Sequence, residues 1–231
     1  MKKKDIVFVM EILLLISLFI SPITRNFIEK KTNSNPYIMG FIKTSILATS
    51  GEVLASRIIT SNYFSKKGYI LRFIVWGFLG MGFVLMFNVY SSGVINSINK
   101  NLLPYFNNDI FLYKIYQAFL ISIIMNLTFA PAFMLLHRVT DTYIDLSKGK
   151  LKIIFKTPLS KVTDNIDWKN YFEFVVLKTI PFFWIPAHTI TFMLPENYRV
   201  LMAGILSIAL GLILTLSKLK TKKEKTNLSN T

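Results

Sequence analysis

The sequence predicts an all-α protein, a polytopic transmembrane bundle of about six spanning helices. Three observations carry this prediction. First, 52% of the 231 residues are hydrophobic and 14% aromatic, with a mean hydropathy of +0.47. A basic nucleic-acid binder is not so apolar, and a disordered basic chain lacks 20 Phe and 10 Tyr. Second, Lys+Arg 27 outnumber Asp+Glu 12, a net charge of +15, yet the basic residues gather between long uncharged stretches. Third, those stretches have the length a membrane demands: about 20 residues of helix cross a hydrocarbon core of about 30 Å.

Six segments meet that length in chain order. Residues 6–24 are apolar apart from Glu11. This segment follows MKKK, as a signal peptide would, but it lacks an A-x-A-like cleavage site and reads as a retained helix. Residues 37–60 are the least hydrophobic and contain Lys43, Glu52 and Arg57. Residues 70–95 have no charge after Arg72, and 110–136 hold only Lys114. Residues 171–194 carry Glu173, Lys178 and His188, and 198–217 only Arg199.

Three regions follow: an N-terminal helix and loop (1–36), a helical membrane domain (37–217) with a loop at 137–170, and a basic tail (218–231) expected to be disordered. Lys148, Lys150 and Lys152 alternate with apolar residues, a strand-like or surface-lying pattern suited to anionic lipid headgroups. With the amino terminus inside, 18 of the 27 basic residues fall in inner loops and 5 in outer ones. That is the asymmetry expected of a membrane protein. No nucleic-acid-binding pattern accompanies the basic runs.

Residues 37–60 carry the first candidate chemistry. Ser45, Thr49, Glu52, Ser56 and Thr60 recur at steps of four, three, four and four, which places them on one helix face. Such a stripe must face other helices or water. An ionisable group at membrane depth marks a solute route or a buried pair, and Lys43, Lys178 and Arg199 are the expected partners of Glu52. Small polar residues at this spacing also glue helices together. Gly77, Gly80 and Gly82 are expected to let two backbones approach closely. Pro131 should kink its helix, with Asn126 one turn deeper offering hydrogen bonds. Pro186 and Pro195 interrupt the fifth segment, where His188 is expected to bond a neighbouring helix, and Pro195 opens a tight turn before Arg199.

His137 and Asp141 stand at i and i+4, but no further His or Cys joins them, and the expected contact is a local hydrogen bond rather than a metal site. With Cys 0 there is no thiolate ligand and no disulfide. No Ser-His-Asp set or phosphate loop is readable, so neither an enzyme nor a cofactor is expected.

Taken together, these motifs resemble the family named after the Mpv-seventeen protein and the twenty-two-kilodalton peroxisomal membrane protein. Trp184, His188, Phe192 and Pro195-Glu196-Asn197-Tyr198-Arg199 are similar to its carboxyl-terminal signature, with His188 in place of the usual Gln. Gly51-Glu52 stands for its Gly-Asp, and Ser56 for the Gln that follows. Arg72 with Gly80 and Gly82 matches its Arg and Gly-x-Gly, while Asn126 and Pro131 match its Gln and Pro. Its Gly-Pro and Trp-Tyr elements are absent. The resemblance covers roughly residues 41–217.

The resemblance implies a small helical membrane protein with a channel-like or solute-permeation role. Ser45, Thr49, Glu52 and Ser56 would line the path, with Asn126, His188 and Arg199 near it. The alternative is a non-conducting structural or assembly protein. The expected partners are membrane lipids, an unidentified small solute or ion and a second copy of the chain. The AT-rich wording and the MKKK start favour a bacterial cytoplasmic membrane over a mitochondrial or peroxisomal one.

Overall fold

The computed structural model describes residues 6, 17, 21–105 and 109–228, with the side chains of 214 and 216–228 left aside. The first predicted span, 6–24, lies almost wholly outside the described residues. Among the rest there is no strand, and five helices are long and apolar enough to cross a membrane: Pro36–Thr60, Tyr69–Asn99, Ile110–Thr128, Asn170–Met193 and Glu196–Ile213. Their outward surface is apolar. Ile70 is 78% exposed, Phe78 63% and Phe182 80%, a surface that lipid satisfies and water would not.

Helix α1 (Pro22–Ser34) occupies most of the stretch expected to be an outer loop. Pro22 at its first position suits a helix start, because the missing N–H has no intrahelical acceptor there. Helix α2 (Pro36–Thr60) follows at once and ends at Ser61, whose φ of 59° is left-handed. A short turn then leads through Gly68 (φ +76°) into α3 (Tyr69–Asn99). Helices α2 and α3 pack most intimately where Gly40 meets Gly80. A Cβ built on Gly80 would lie 2.4 Å from the Gly40 carbonyl oxygen and 2.5 Å from Thr44 Oγ1. A Cβ on Gly77 would lie 2.3 Å from the Phe41 ring. Gly82 does not share this role, since its Cβ would meet only Phe133 at 3.8 Å. It stands two residues, or about 200°, from Gly80 and so turns away from α2.

Helix α4 (Ile110–Thr128) is capped by Asp109, whose carboxylate accepts from Phe111 N at 2.7 Å and Leu112 N at 3.4 Å. The segment expected to run on to 136 breaks at Phe129, two residues before Pro131. It resumes as α5 (Ala130–Ser147), which continues well into the predicted loop. Pro131 lacks the N–H that would bond Leu127, so the break falls where its ring crowds the preceding turn. The alternating lysines do not form a strand. The chain there makes two short helices, α6 (Leu151–Ile154) and α7 (Leu159–Asp164), because an isolated strand has no partner for its backbone groups.

Residues Asn170–Trp184 wind as a π-helix containing Pro181. The wider i→i+5 winding reaches to its end, where Ile185 N bonds Ile180 O, and it frequently marks functional sites. It passes into α8 (Ile185–Met193), with Pro186 in the first turn, where a proline costs no hydrogen bond. Leu194 is extended (ψ 156°) before Pro195. Helix α9 (Glu196–Leu228) then begins and runs through most of the stretch expected to be a disordered tail. That stretch has no Gly or Pro to stop it, and its Lys and Glu are good helix formers.

Candidate functional site

Two cavities lie one after the other along the bundle. The outer one, of about 340 Å³, is lined by Pro36, Tyr37, Gly40 and Lys43 of α2, Val84, Leu85, Phe87 and Asn88 of α3, and Glu196, Asn197, Arg199 and Val200 of α9, with Thr32 and Asn33. The inner one, of about 230 Å³, takes Ala48, Gly51, Glu52 and Ala55 from α2, Trp76, Phe83 and Phe87 from α3, and Ser207, Leu210 and Gly211 from α9. Along α2 and α9 the residues lining the outer cavity precede those lining the inner one, and along α3 the order is reversed. Phe87 lines both cavities. It is 3% exposed, and its ring packs edge-on against His188 at 5.5 Å and Phe192 at 5.2 Å.

The inner cavity is bounded further by Met125 and Asn126 of α4, Phe129 at the break, Phe133 and His137 of α5, Trp184 at the end of the π-helix and His188 of α8. Its wall is apolar and rich in aromatic side chains. Several of its polar atoms are buried with no hydrogen-bond partner: Glu52 Oε2, His137 Nε2, Trp184 Nε1 and His188 Nδ1. These atoms are shut off from the cavity space as well as from water, and a buried polar atom without a partner is costly.

At the inner end sits a charge cluster centred on Arg72, whose side chain is 0% exposed. Nη1 bonds Asp141 Oδ1 at 2.6 Å, and Nη2 bonds Asp145 Oδ1 at 2.6 Å. Nη1 also lies 3.7 Å from Glu52 Oε2. The planar guanidinium spans two carboxylates one helical turn apart, a fork that lysine cannot reproduce. Trp76 donates its indole N–H to Glu52 Oε1 at 2.7 Å, which fixes the carboxylate at the cavity wall. The His137 ring lies 4.2 Å from Trp76, and its Nε2 is 3.7 Å from Asp141 Oδ1. Burial holds the His137 imidazole below its usual range and favours the neutral ring, against the opposing pull of Asp141 and Glu52.

Glu52 therefore joins His137 and Asp141, and their ligand atoms all fall within 4.8 Å of one another. This third member is one that sequence spacing did not supply. Arg72 is already in contact with Asp141 and near Glu52, so two of the three groups are engaged by its charge.

The structure divides the expected path-lining set. Glu52, Asn126 and His188 surround the inner cavity, and Arg199 the outer one. Ser45 donates to the Phe73 carbonyl at 2.8 Å, and Ser56 donates to the Asn62 carbonyl at 2.8 Å. These two tie α2 to α3 and to the following turn and line neither cavity; Thr49 lines neither. Asn126 is itself held by its own helix, donating to the Ser122 carbonyl at 2.9 Å. None of the three expected partners meets Glu52. Lys43 reaches Thr32 Oγ1 at 2.7 Å and the Asn197 carbonyl at 3.3 Å, Arg199 reaches Ser91 Oγ and the Leu194 carbonyl, and Lys178 is exposed.

Sequence reasoning missed Arg72, Trp76 and Asp145 as members of the site. A signal was present: Arg72 and Trp76 are four apart, as are His137, Asp141 and Asp145 in succession, so each set shares a helix face. The fold and the site define a helical membrane protein with an aromatic-rich cavity that ends at an ion cluster around a buried arginine. No protein-family model, no curated protein and no solved structure matches the chain.

Proposed function

We propose that the protein provides a path for a small solute across the membrane, closed at Phe87 in this conformation. The observation that carries this reading is the pair of cavities in series, with one aromatic side chain common to both. A rotation of the Phe87 ring, which stands between the two spaces, would join them. The outer space offers Lys43 and Arg199 and the inner one Glu52, so a solute would meet charge at each end and aromatic faces between. The resemblance to a family with pore-forming members agrees with this role. Basic residues concentrated between spans on one proposed side agree with a cytoplasmic membrane as the location.

Planar-bilayer recording of the purified protein tests the proposal. Phe87→Ala should raise the open probability or the conductance above the wild-type level, and Glu52→Gln should alter ion preference. Conductance indifferent to both substitutions, in protein that remains folded, would contradict it. The second reading is a non-conducting structural protein. It draws support from Ser45 and Ser56, which serve as helix-to-helix bonds, and it expects Glu52→Gln to lower thermal stability with no change in flux.

A further inference from the structure

We infer that the inner cavity seats one acyl chain of a membrane phospholipid, which enters sideways from the bilayer and sets its phosphate on Arg138. The inference names what fills the inner half of the proposed path, and it rests on that path only for its effect on flux.

The surface of the cavity sets the class of ligand. Its wall is carbon almost throughout. The unpaired atoms of Glu52, His137, Trp184 and His188 are shut off from the space. Asn126 is turned to Ser122, and Ser207 donates to the Ala203 carbonyl. Every helix around the space except α5 is a candidate span, so the cavity lies at membrane depth. An open apolar space there is filled by the hydrocarbon around it, because a void forfeits dispersion contacts on all sides.

The way in is lateral. The cavity ends at the Arg72 cluster, which shuts its inner end. Helix α9 packs on α2, α3 and α8, whereas neither α5 nor the π-helix packs closely against it. Gly211 of α9 lines the cavity, and a Cβ built on it would meet nothing within 4 Å. Gly211 thus borders an opening, with Ala130 and Met134 of α5 on the far side. Length agrees with one chain. The lining of α3 runs from Trp76 to Phe87, about 16 Å of helix, and one leaflet is half of a hydrocarbon core of about 30 Å.

Charge places the headgroup. Ala130 and Met134 line the cavity, and Arg138 is the next position in the same four-residue row of α5. It follows His137 of the ion cluster, at the end where the cavity stops. Arg138 is half-buried, and its guanidinium has no ion pair or hydrogen bond among the described residues. A planar fork of donors without an acceptor suits a phosphate. From a phosphate held there, a chain runs past Met134 into the space toward Phe87, where it would compete with any solute.

Tryptophan quenching by brominated chains tests the inference. Trp76 and Trp184 line the cavity, while Trp168, the third tryptophan, is 38% exposed and lies outside it. Full-length Trp168→Phe protein in dodecyl maltoside is titrated with phosphatidylcholine brominated on its acyl chains. Quenching should saturate, and diacylglycerol with the same chains but no phosphate should require about tenfold more for the same effect. Gly211→Leu, which fills the opening, should remove most of the quenching, whereas Gly211→Ala should retain it. Arg138→Gln should bring phosphatidylcholine down to the level of diacylglycerol. Quenching that never saturates, or that Gly211→Leu leaves unmoved in protein with an unchanged melting temperature, would overturn the inference. So would diacylglycerol or a free brominated fatty acid that quenches as strongly as phosphatidylcholine. The measurement is independent of flux. Saturable lipid binding without conduction would leave the site standing and remove the path, whereas conduction without lipid binding would do the reverse.

Discussion

At the residue scale, the account turns on Arg72. A guanidinium with no solvent exposure must be paired, and here Asp141 and Asp145 hold it with Glu52 close by. Removing the guanidinium leaves Asp141 and Glu52 partly buried and uncompensated while Asp145 keeps its contact with solvent, so the cost falls below the about 3–5 kcal/mol of breaking a fully buried pair. Arg72→Gln should therefore lower the melting temperature of the detergent-solubilised protein by several degrees. Arg72→Lys should rescue it only in part, because one ammonium cannot bridge two carboxylates. Full rescue by lysine would show that the fork geometry is immaterial. Glu52 was legible in the sequence as a charge in the wrong solvent, and so was its polar stripe. Its partners were not. Periodicity along one helix says which residues share a face, but it is silent on which face of which other helix stands opposite. Arg72, at the start of a span, drew notice only as part of the family resemblance, because nothing in the sequence sets α5 beside it.

At the scale of elements, the helices themselves were readable from length and hydropathy, and the prolines marked their ends. Pro131 announced the break at Phe129, and Pro195 the turn before α9. The π-helix was not legible, since no residue pattern distinguishes i→i+5 winding from ordinary helix. Helix α5 was not legible either. Its later turns carry His137, Arg138, Asp141 and Asp145, and polar residues beyond a span look like a loop until their four-residue spacing is set against a buried partner. The glycines illustrate the same limit. Gly77, Gly80 and Gly82 looked equivalent, yet only the first two face α2. Gly80→Ala should destabilise the protein by roughly 1–3 kcal/mol through forced separation of α2 and α3. Gly82→Ala, with its nearest neighbour at 3.8 Å, should be neutral or slightly stabilising through helix propensity. Thermal unfolding of the two variants side by side checks this, and equal destabilisation would contradict the packing described.

At the scale of the whole molecule, the sequence spoke for a membrane bundle through its charge segregation, and five of the expected spans stand as long apolar helices. What it could not express is the space left between them. Cavities arise from mismatched side-chain volumes on several helices at once, and no single segment carries that information. The charge count proposes an orientation, with the amino terminus inside. Because the chain has Cys 0, single cysteines report it directly. A cysteine placed at Ser34 should react with a membrane-impermeant maleimide from outside intact cells, and one at Lys150 only after permeabilisation. The reverse pattern would invert the topology.

The central claim, that the two cavities are halves of one path interrupted at Phe87, is tested most directly by release of a small solute from liposomes containing purified protein. Wild-type and Phe87→Trp proteins should release it slowly, and Phe87→Ala should release it at least several-fold faster. Identical rates for all three, in variants with unchanged melting temperatures, would contradict the claim.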